Sequence, residues 1–273
     1  MAVTSLSTAR TIPALLRDQH ALGTHPALID THRRVTYGEL PHEVGAFSRA
    51  LLASGLSRGD RVALWAPNSA EFALALLGTQ NVGGTVVPLN TRYTGHEAAD
   101  ILRRSGARVL VVADGFLGKS FTELLASALG TSIAPGAHLV EGLPDLHTIV
   151  QMTQTTGPGT PWADFLAAGT RIDDATLDDA RDAVTPDDIA DILYTSGSTG
   201  VPKGVMSAQR QTIGVAHAWA VRAELTADDR YAVVNPMFHG FGYKAGLISS
   251  LIAGATIYPV PVLDTDALLH LVQ

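Results

Sequence analysis

Apolar residues follow two alternating rhythms along this chain. The runs 61–66, 85–87 and 108–113 are short, rich in Val and Leu, and read as strands. Residues 27–29 and Arg34–Thr36 read as a short hairpin. Thr36-Tyr37-Gly38-Glu39 has the spacing of a capping box, hydroxyl at one end and carboxylate at the other, and predicts a helix running to about Gly55. A helix over 69–77 starts near Asn68. A second box, Thr94-Gly95-His96-Glu97, opens a helix that Gly106 closes. Apolar strands and helices spaced this tightly predict right-handed crossovers and a parallel sheet, an α/β class. Further on, Thr160-Pro161 starts a short helix through Ala168, 189–194 reads as an apolar strand, and Asp264 caps a final helix. No internal repeat is visible.

Between 172 and 188 the pattern turns acidic, with Asp173, Asp174, Asp178, Asp179, Asp182, Asp187 and Asp188. They are scattered along a polar segment with no histidine among them, so they read as a solvated surface and no metal site is assigned. Composition supports a folded domain. With 273 residues, 46% hydrophobic and 16% charged, the chain can bury roughly three-quarters of its unfolded surface, which excludes disorder and collagen-like structure. Nineteen basic against 26 acidic residues and 6% aromatics leave no footprint for nucleic acid. The absence of cysteine removes disulfides and thiolate nucleophiles, so any thiol in the chemistry comes from outside. The N-terminus has no apolar core of a signal peptide. The longest uncharged stretch, 247–263, is broken by Gly254, Pro259 and Pro261, so no transmembrane segment is expected and the expected setting is cytoplasmic.

The chemistry concentrates in Asp191-Ile192-Leu193-Tyr194-Thr195-Ser196-Gly197-Ser198-Thr199-Gly200-Val201-Pro202-Lys203-Gly204. An apolar strand empties into small and hydroxylated residues, then a lysine. Phosphate binding uses this mixture. Glycines let backbone N–H groups approach the oxygens, hydroxyls donate, and an ammonium neutralises charge. A flexible Gly/Ser linker has similar composition, but has no reason to be bracketed by a strand and Pro-Lys-Gly. A Walker-A loop fails because Pro202 precedes Lys203 and Gly204 follows it. A Rossmann oxidoreductase is a distant third reading, because no GxGxxG follows the first crossover strand.

The run TSGSTGVPKG resembles the phosphate-loop signature of the adenylate-forming enzymes, which include acyl-CoA synthetases, luciferases and peptide-synthetase adenylation domains. Val35-Thr36-Tyr37-Gly38-Glu39-Leu40, the Gly83-to-Asn90 strand exit (GGTVVPLN) and Asn235-Pro236-Met237-Phe238-His239-Gly240-Phe241-Gly242 are similar to three further stretches of that family, in the same order. The last of these favours the acyl-CoA synthetase branch. PLNTRYT together with FHGFGYKAG resembles an actinobacterial subgroup acting on steroid-derived propanoate side chains.

The resemblance implies a two-step reaction in which a small-molecule carboxylic acid and Mg2+-ATP give an acyl-adenylate, and coenzyme A then takes the acyl group. It implies that Thr195, Ser196, Gly197, Ser198, Thr199, Gly200 and Lys203 hold the β/γ-phosphates, and that Phe238, His239 and Gly240 border the acyl site. For His239 taken alone, a packed or capping histidine is the competing reading.

The implied fold is the N-terminal part of the ligase large domain, layered mostly parallel sheets flanked by helices, and incomplete. Residues 61–226 would form a first α/β layer with the phosphate loop at 195–204, and 1–60 with 227–273 a second, truncated layer. The resemblance maps onto the first half of a typical member, with the remaining catalytic elements expected downstream. Exposed apolar surface, unpaired edges and no activity without a complementary C-terminal half are therefore expected. The alternative is a non-catalytic nucleotide- or acyl-binding remnant, or one half of a split enzyme.

Overall fold

The computed structural model describes residues 6–133, 140–152, 157–195 and 202–272. The chain begins with helix α1 (Ile12–Gln19), then strands β1 (Pro26–Ile29) and β2 (Arg34–Thr36), antiparallel as the hairpin pattern predicts. Thr36 and Glu39 make the reciprocal capping bonds, Thr36 N–H to Glu39 Oε2 at 2.9 Å and Glu39 N–H to Thr36 Oγ1 at 3.3 Å. They close a turn, however, and helix α2 (Leu40–Ala53) starts only after it, because Glu39 is already in helical conformation with no side chain capping it.

Strand β3 (Arg61–Trp65), helix α3 (Ala70–Gln80), strand β4 (Thr85–Pro88), helix α4 (Gly95–Ser105) and strand β5 (Ala107–Val112) follow. Thr94 and Glu97 form a complete capping box on α4, and Gly106 ends that helix at φ +60°. Helix α5 (Phe121–Leu129) and strand β6 (Thr148–Gln151) come next, in a stretch where the sequence pattern predicted neither. Gly95 lets α4 lie on α5, since a Cβ there would fall 1.9 Å from Leu124 O.

Strand β7 (Thr160–Pro161), helix α6 (Trp162–Ala168) and helix α7 (Asp174–Asp182) lead to strands β8 (Ile189–Thr195) and β9 (Lys203–Ala208). Asp173 caps α7 through Thr176 N–H at 2.8 Å, and Asp174 pairs with Arg49, Asp182 with Arg17, Asp187 with Arg210 and Asp188 with Arg58. Much of the acidic run thus serves helix capping and surface ion pairing. Helix α8 (Gln209–Arg222), strand β10 (Arg230–Val233), a π-helix (Phe241–Ile248), helix α9 (Ser249–Ala253), strand β11 (Thr256–Pro259) and helix α10 (Thr265–Val272) complete the described chain. The uncharged stretch 247–263 is divided among the last π-turn, α9 and β11, and no described helix is long and apolar enough to cross a membrane.

Seven strands form one sheet in the order β7-β6-β5-β3-β4-β8-β9, parallel throughout except for β8 against β9. Four form a second, β10-β11-β1-β2, which joins strands from the two ends of the chain. The strand alternation sorts the core by face. Val62, Leu64, Val86, Val109 and Val111 belong to a cluster shared with α2, α3, α8, the π-helix and the second sheet. Ala63, Trp65, Val87, Leu110 and Val112 belong to a second cluster under α4 and α5. Helix α3 is buried on nearly every side, which explains why AEFALALLGTQ shows no polar stripe. Val205 and Met206 on β9, Val215 and Val221 on α8, and Phe241 remain exposed.

Candidate functional site

The two sheets bring the carboxyl ends of their parallel strands to a common cleft, the position where open α/β sheets bind ligands. The cleft encloses about 610 Å³. Its walls come from the exit of β3 (Pro67, Asn68), the exit of β4 (Asn90, Thr91, Arg92), the loop after β5 (Phe116, Lys119), the exit of β10 (Asn235, Phe238, His239) and the exit of β11 (Val260 to Leu263). A larger recess of about 850 Å³ lies between α2 and α7. Its charged side chains are already engaged, Arg49 with Asp174, Arg181 with Asp178 and Asp173 with Thr176 N–H.

Asn68 holds the cleft together. Its amide donates to Val233 O at 2.9 Å and to Asn235 O at 3.0 Å, while its Oδ1 accepts from Met237 N–H at 2.6 Å. One buried side chain on the first sheet thus satisfies three backbone groups at the exit of β10. Gly242 completes that turn, because a Cβ there would lie 2.3 Å from both Asn235 O and Pro236 O. The sequence marks Asn68 only as a residue near a helix start; its partners lie far along the chain, so no local pattern could reveal them.

Of the residues expected to border an acyl site, Phe238 and His239 line the cleft, with ring centroids 4.9 Å apart. Gly240 sits just behind, against β8, where its Cβ position is 3.6 Å from Leu193 Cδ1. Partial burial draws the His239 imidazole below its ordinary value of 6.5, which favours the neutral ring. Arg92 and Lys119 add two cations to the cleft, Lys119 donating to Thr91 O at 3.3 Å. The strand pattern did not single them out, because both lie on connecting loops.

The expected phosphate loop joins β8 to β9. Thr195 and Lys203 are opposite one another in the ladder, both exposed, with Thr195 Oγ1 donating to Lys203 O at 3.5 Å. Ser196, Gly197, Ser198, Thr199 and Gly200 lie outside the described residues. Arg104, on α4, braces both stems. Its guanidinium carbon is 5.6 Å from the centroid of the Tyr194 ring, and its Nη1 donates to Pro202 O at 2.8 Å. Burial pushes the Tyr194 phenol up, so this ring stays neutral under the cation.

Residues 17–273 match the AMP-binding enzyme family. The chain belongs to that family. This AMP-binding enzyme is 41% identical over 265 residues to the 3-(7a-methyl-1,5-dioxo-octahydro-inden-4-yl)propanoyl:CoA ligase of Rhodococcus jostii, covering 95% of the chain and 49% of the relative. The ligase of the same name from Mycobacterium tuberculosis is 43% identical over 256 residues, covering 93% of the chain and 48% of that protein. Among solved structures, the N-terminal domain of FACL13 from Mycobacterium tuberculosis superposes with a TM-score of 0.76 at 26% identity, covering 97% of this chain and 60% of that one. The chain spans about half the length of the curated relatives it matches. Its fold is that of the N-terminal region of adenylate-forming ligases, layered mostly parallel sheets flanked by helices.

Two measurements check this geometry. Asn68→Ala leaves Asn235 O and Met237 N–H unpaired, while Val233 O keeps Val260 N–H at 3.1 Å, and is expected to lower stability by about 2–4 kcal/mol; a loss under about 0.5 kcal/mol in denaturant unfolding would contradict the bridging role. For His239, the unfolded chain takes up a proton near pH 6.5 whereas the folded chain resists until lower pH. Acid below about pH 6.5 therefore favours unfolding through this group, and the contribution disappears above it. An NMR titration should place the His239 midpoint below 6.5, and His239→Gln should lose less stability than wild type between neutral pH and pH 5. A midpoint at or above 6.5 would contradict the assignment.

Proposed function

We propose that the chain carries the ATP-phosphate and acyl-binding parts of an AMP-forming acid–CoA ligase. The carrying observation is the shared strand: β8 ends in Thr195 at the loop and packs Leu193 behind the Phe238–His239–Gly240 turn, so one rigid element faces both sites. In the first half-reaction, an oxygen of the substrate carboxylate attacks the α-phosphorus of ATP, and pyrophosphate carries away the electrons of the broken P–O bond. Thr195, Ser196, Gly197, Ser198, Thr199, Gly200 and Lys203 hold the β- and γ-phosphates. Lys203 supplies the compensating charge as pyrophosphate departs. In the second, the thiol of coenzyme A displaces AMP from the acyl carbon. The chain has no cysteine, and this chemistry requires none, because both nucleophiles are substrates.

Mg2+ enters with the nucleotide, as part of the substrate. Phe238, His239 and Gly240 border the acyl group. The two propanoyl:CoA ligases that resemble this chain favour a bicyclic propanoic acid as the substrate class. This reading takes the cytoplasm as the setting of the reaction. The exposed apolar residues of β9 and α8 support a complementary C-terminal portion that covers them and completes the catalytic centre. Under this reading the 273-residue chain alone binds but does not turn over.

The test is equilibrium titration of the chain with Mg2+-ATP, beside a pyrophosphate-release assay with the bicyclic propanoate. Saturable binding is expected, weakened at least tenfold by Lys203→Ala, with no carboxylate-dependent pyrophosphate release. Absence of binding, or identical binding by Lys203→Ala, would overturn the phosphate assignment. Release by the chain alone would overturn the need for a complementary portion.

A further inference from the structure

The root of the β8–β9 hairpin holds a group of buried polar side chains for which the proposed reaction has no use. Asp191 on β8 is fully buried. Its Oδ2 accepts from Thr212 Oγ1 of α8 at 2.6 Å, and Lys244 Nζ of the π-helix lies 3.1 Å from its Oδ1, an ion pair without an aligned hydrogen bond. The same ammonium donates to Ser207 Oγ on β9 at 2.8 Å. Ser207 is the ladder partner of Asp191, so Lys244 grips both strands of the hairpin at one rung. Next to Lys244, the fully buried Tyr243 accepts from Gln80 Nε2, whose amide also donates to Ala190 O at 3.0 Å. Two successive residues of the π-helix are therefore tied to the strand that ends in the phosphate loop. Wide π-turns often accompany functional sites.

The ladder shows why the grip matters. Between Ile189 and Asp191 its register shifts, Ile189 pairing with Ala208 and Asp191 with Ser207, so β8 carries one extra residue. Such a bulge re-aims the strand beyond it. Past it, Asp191, Leu193 and Thr195 share the face turned toward the π-helix, while Ile192 and Tyr194 pack with the cluster on the other side. Thr195 and Lys203 lie four residues farther on, about 13 Å at strand rise, so Lys244 cannot touch the phosphates itself. A slip of β9 by one residue would turn Lys203 to the opposite face from Thr195. Well-packed apolar residues often equal a buried ion pair in stability, and the attested use of such pairs is to fix register.

We propose that Lys244 and Asp191 are positioning residues, a clamp that locks the register of the β8–β9 hairpin against the π-helix and so holds Thr195 and Lys203 in fixed relation to the Phe238–His239–Gly240 turn. The clamp rests on the reading of 195–203 as the ATP phosphate site.

The test compares Lys244→Met, Lys244→Arg and the double variant Asp191→Leu/Lys244→Met with wild type. It uses melting temperature, amide hydrogen exchange over 203–208 and Mg2+-ATP affinity. Lys244→Met should speed exchange across 203–208 and weaken ATP at least tenfold, while Lys244→Arg keeps most of the affinity. The double variant, with no uncompensated charge, should recover its melting temperature but neither the protection nor the affinity. Recovery of all three would overturn the clamp, because a merely structural pair is replaceable by apolar packing. Wild type that fails to bind ATP would sink the phosphate-site reading instead. Hydrogen exchange then still decides the clamp, since unchanged protection in both Lys244→Met and the double variant would refute it.

Discussion

The cleft exists because the exits of two separate sheets are held at one level, and the amide of Asn68 provides that constraint. It leaves β3, crosses to the exit of β10 and pairs with backbone on both sides of Pro236. Asn235 O and Met237 N–H would otherwise be left unpaired, and Val233 O, which also accepts from Val260 N–H, gains a second bond. The Phe238–His239 turn is therefore placed by the first sheet, although it follows a strand of the second. Gly242 makes the tight return possible, and the π-helix that follows packs Tyr243 and Lys244 back toward β8.

Strand β8 is the second organising element. On one face it meets the apolar layer under α4 through Ile192 and Tyr194. On the other it carries Asp191, Leu193 and Thr195, which meet in turn Lys244, the Phe238–His239–Gly240 turn and Lys203. Arg104 closes the hairpin from outside and Lys244 from inside. Breaking a buried pair by removing one member costs roughly 3–5 kcal/mol, so the inner brace resists deformation more than the exposed outer one. Bracing both stems holds Thr195 and Lys203 in one geometry before any ligand arrives, so neither residue has to be ordered on binding.

Much of this fold was legible from local pattern. The β3–α3–β4–α4–β5 succession, the Thr94 box and the Gly106 stop are local events, and the structure follows them within a few residues. The Thr36 box formed its bonds but closed a turn, since Glu39 was already helical without side-chain capping. Helix α5 and strand β6 went unseen because residues 113–151 lack a compact apolar run with clear punctuation. At the candidate site, Thr195, Lys203, Phe238 and His239 were named as candidates by resemblance to a family. Asn68, Arg104 and the Asp191–Lys244 pair were not, because each depends on a partner distant in sequence.

The central claim is that nucleotide phosphates sit at the β8–β9 hairpin, beside and not within the cleft that Phe238 and His239 line. A crystal structure of the chain with a non-hydrolysable ATP analogue tests it most directly. The account predicts triphosphate density against Thr195 and Lys203, with the cleft left free for an acyl group. Triphosphate density between Arg92 and Lys119 inside the cleft, or ordered nucleotide elsewhere on the chain, would contradict it.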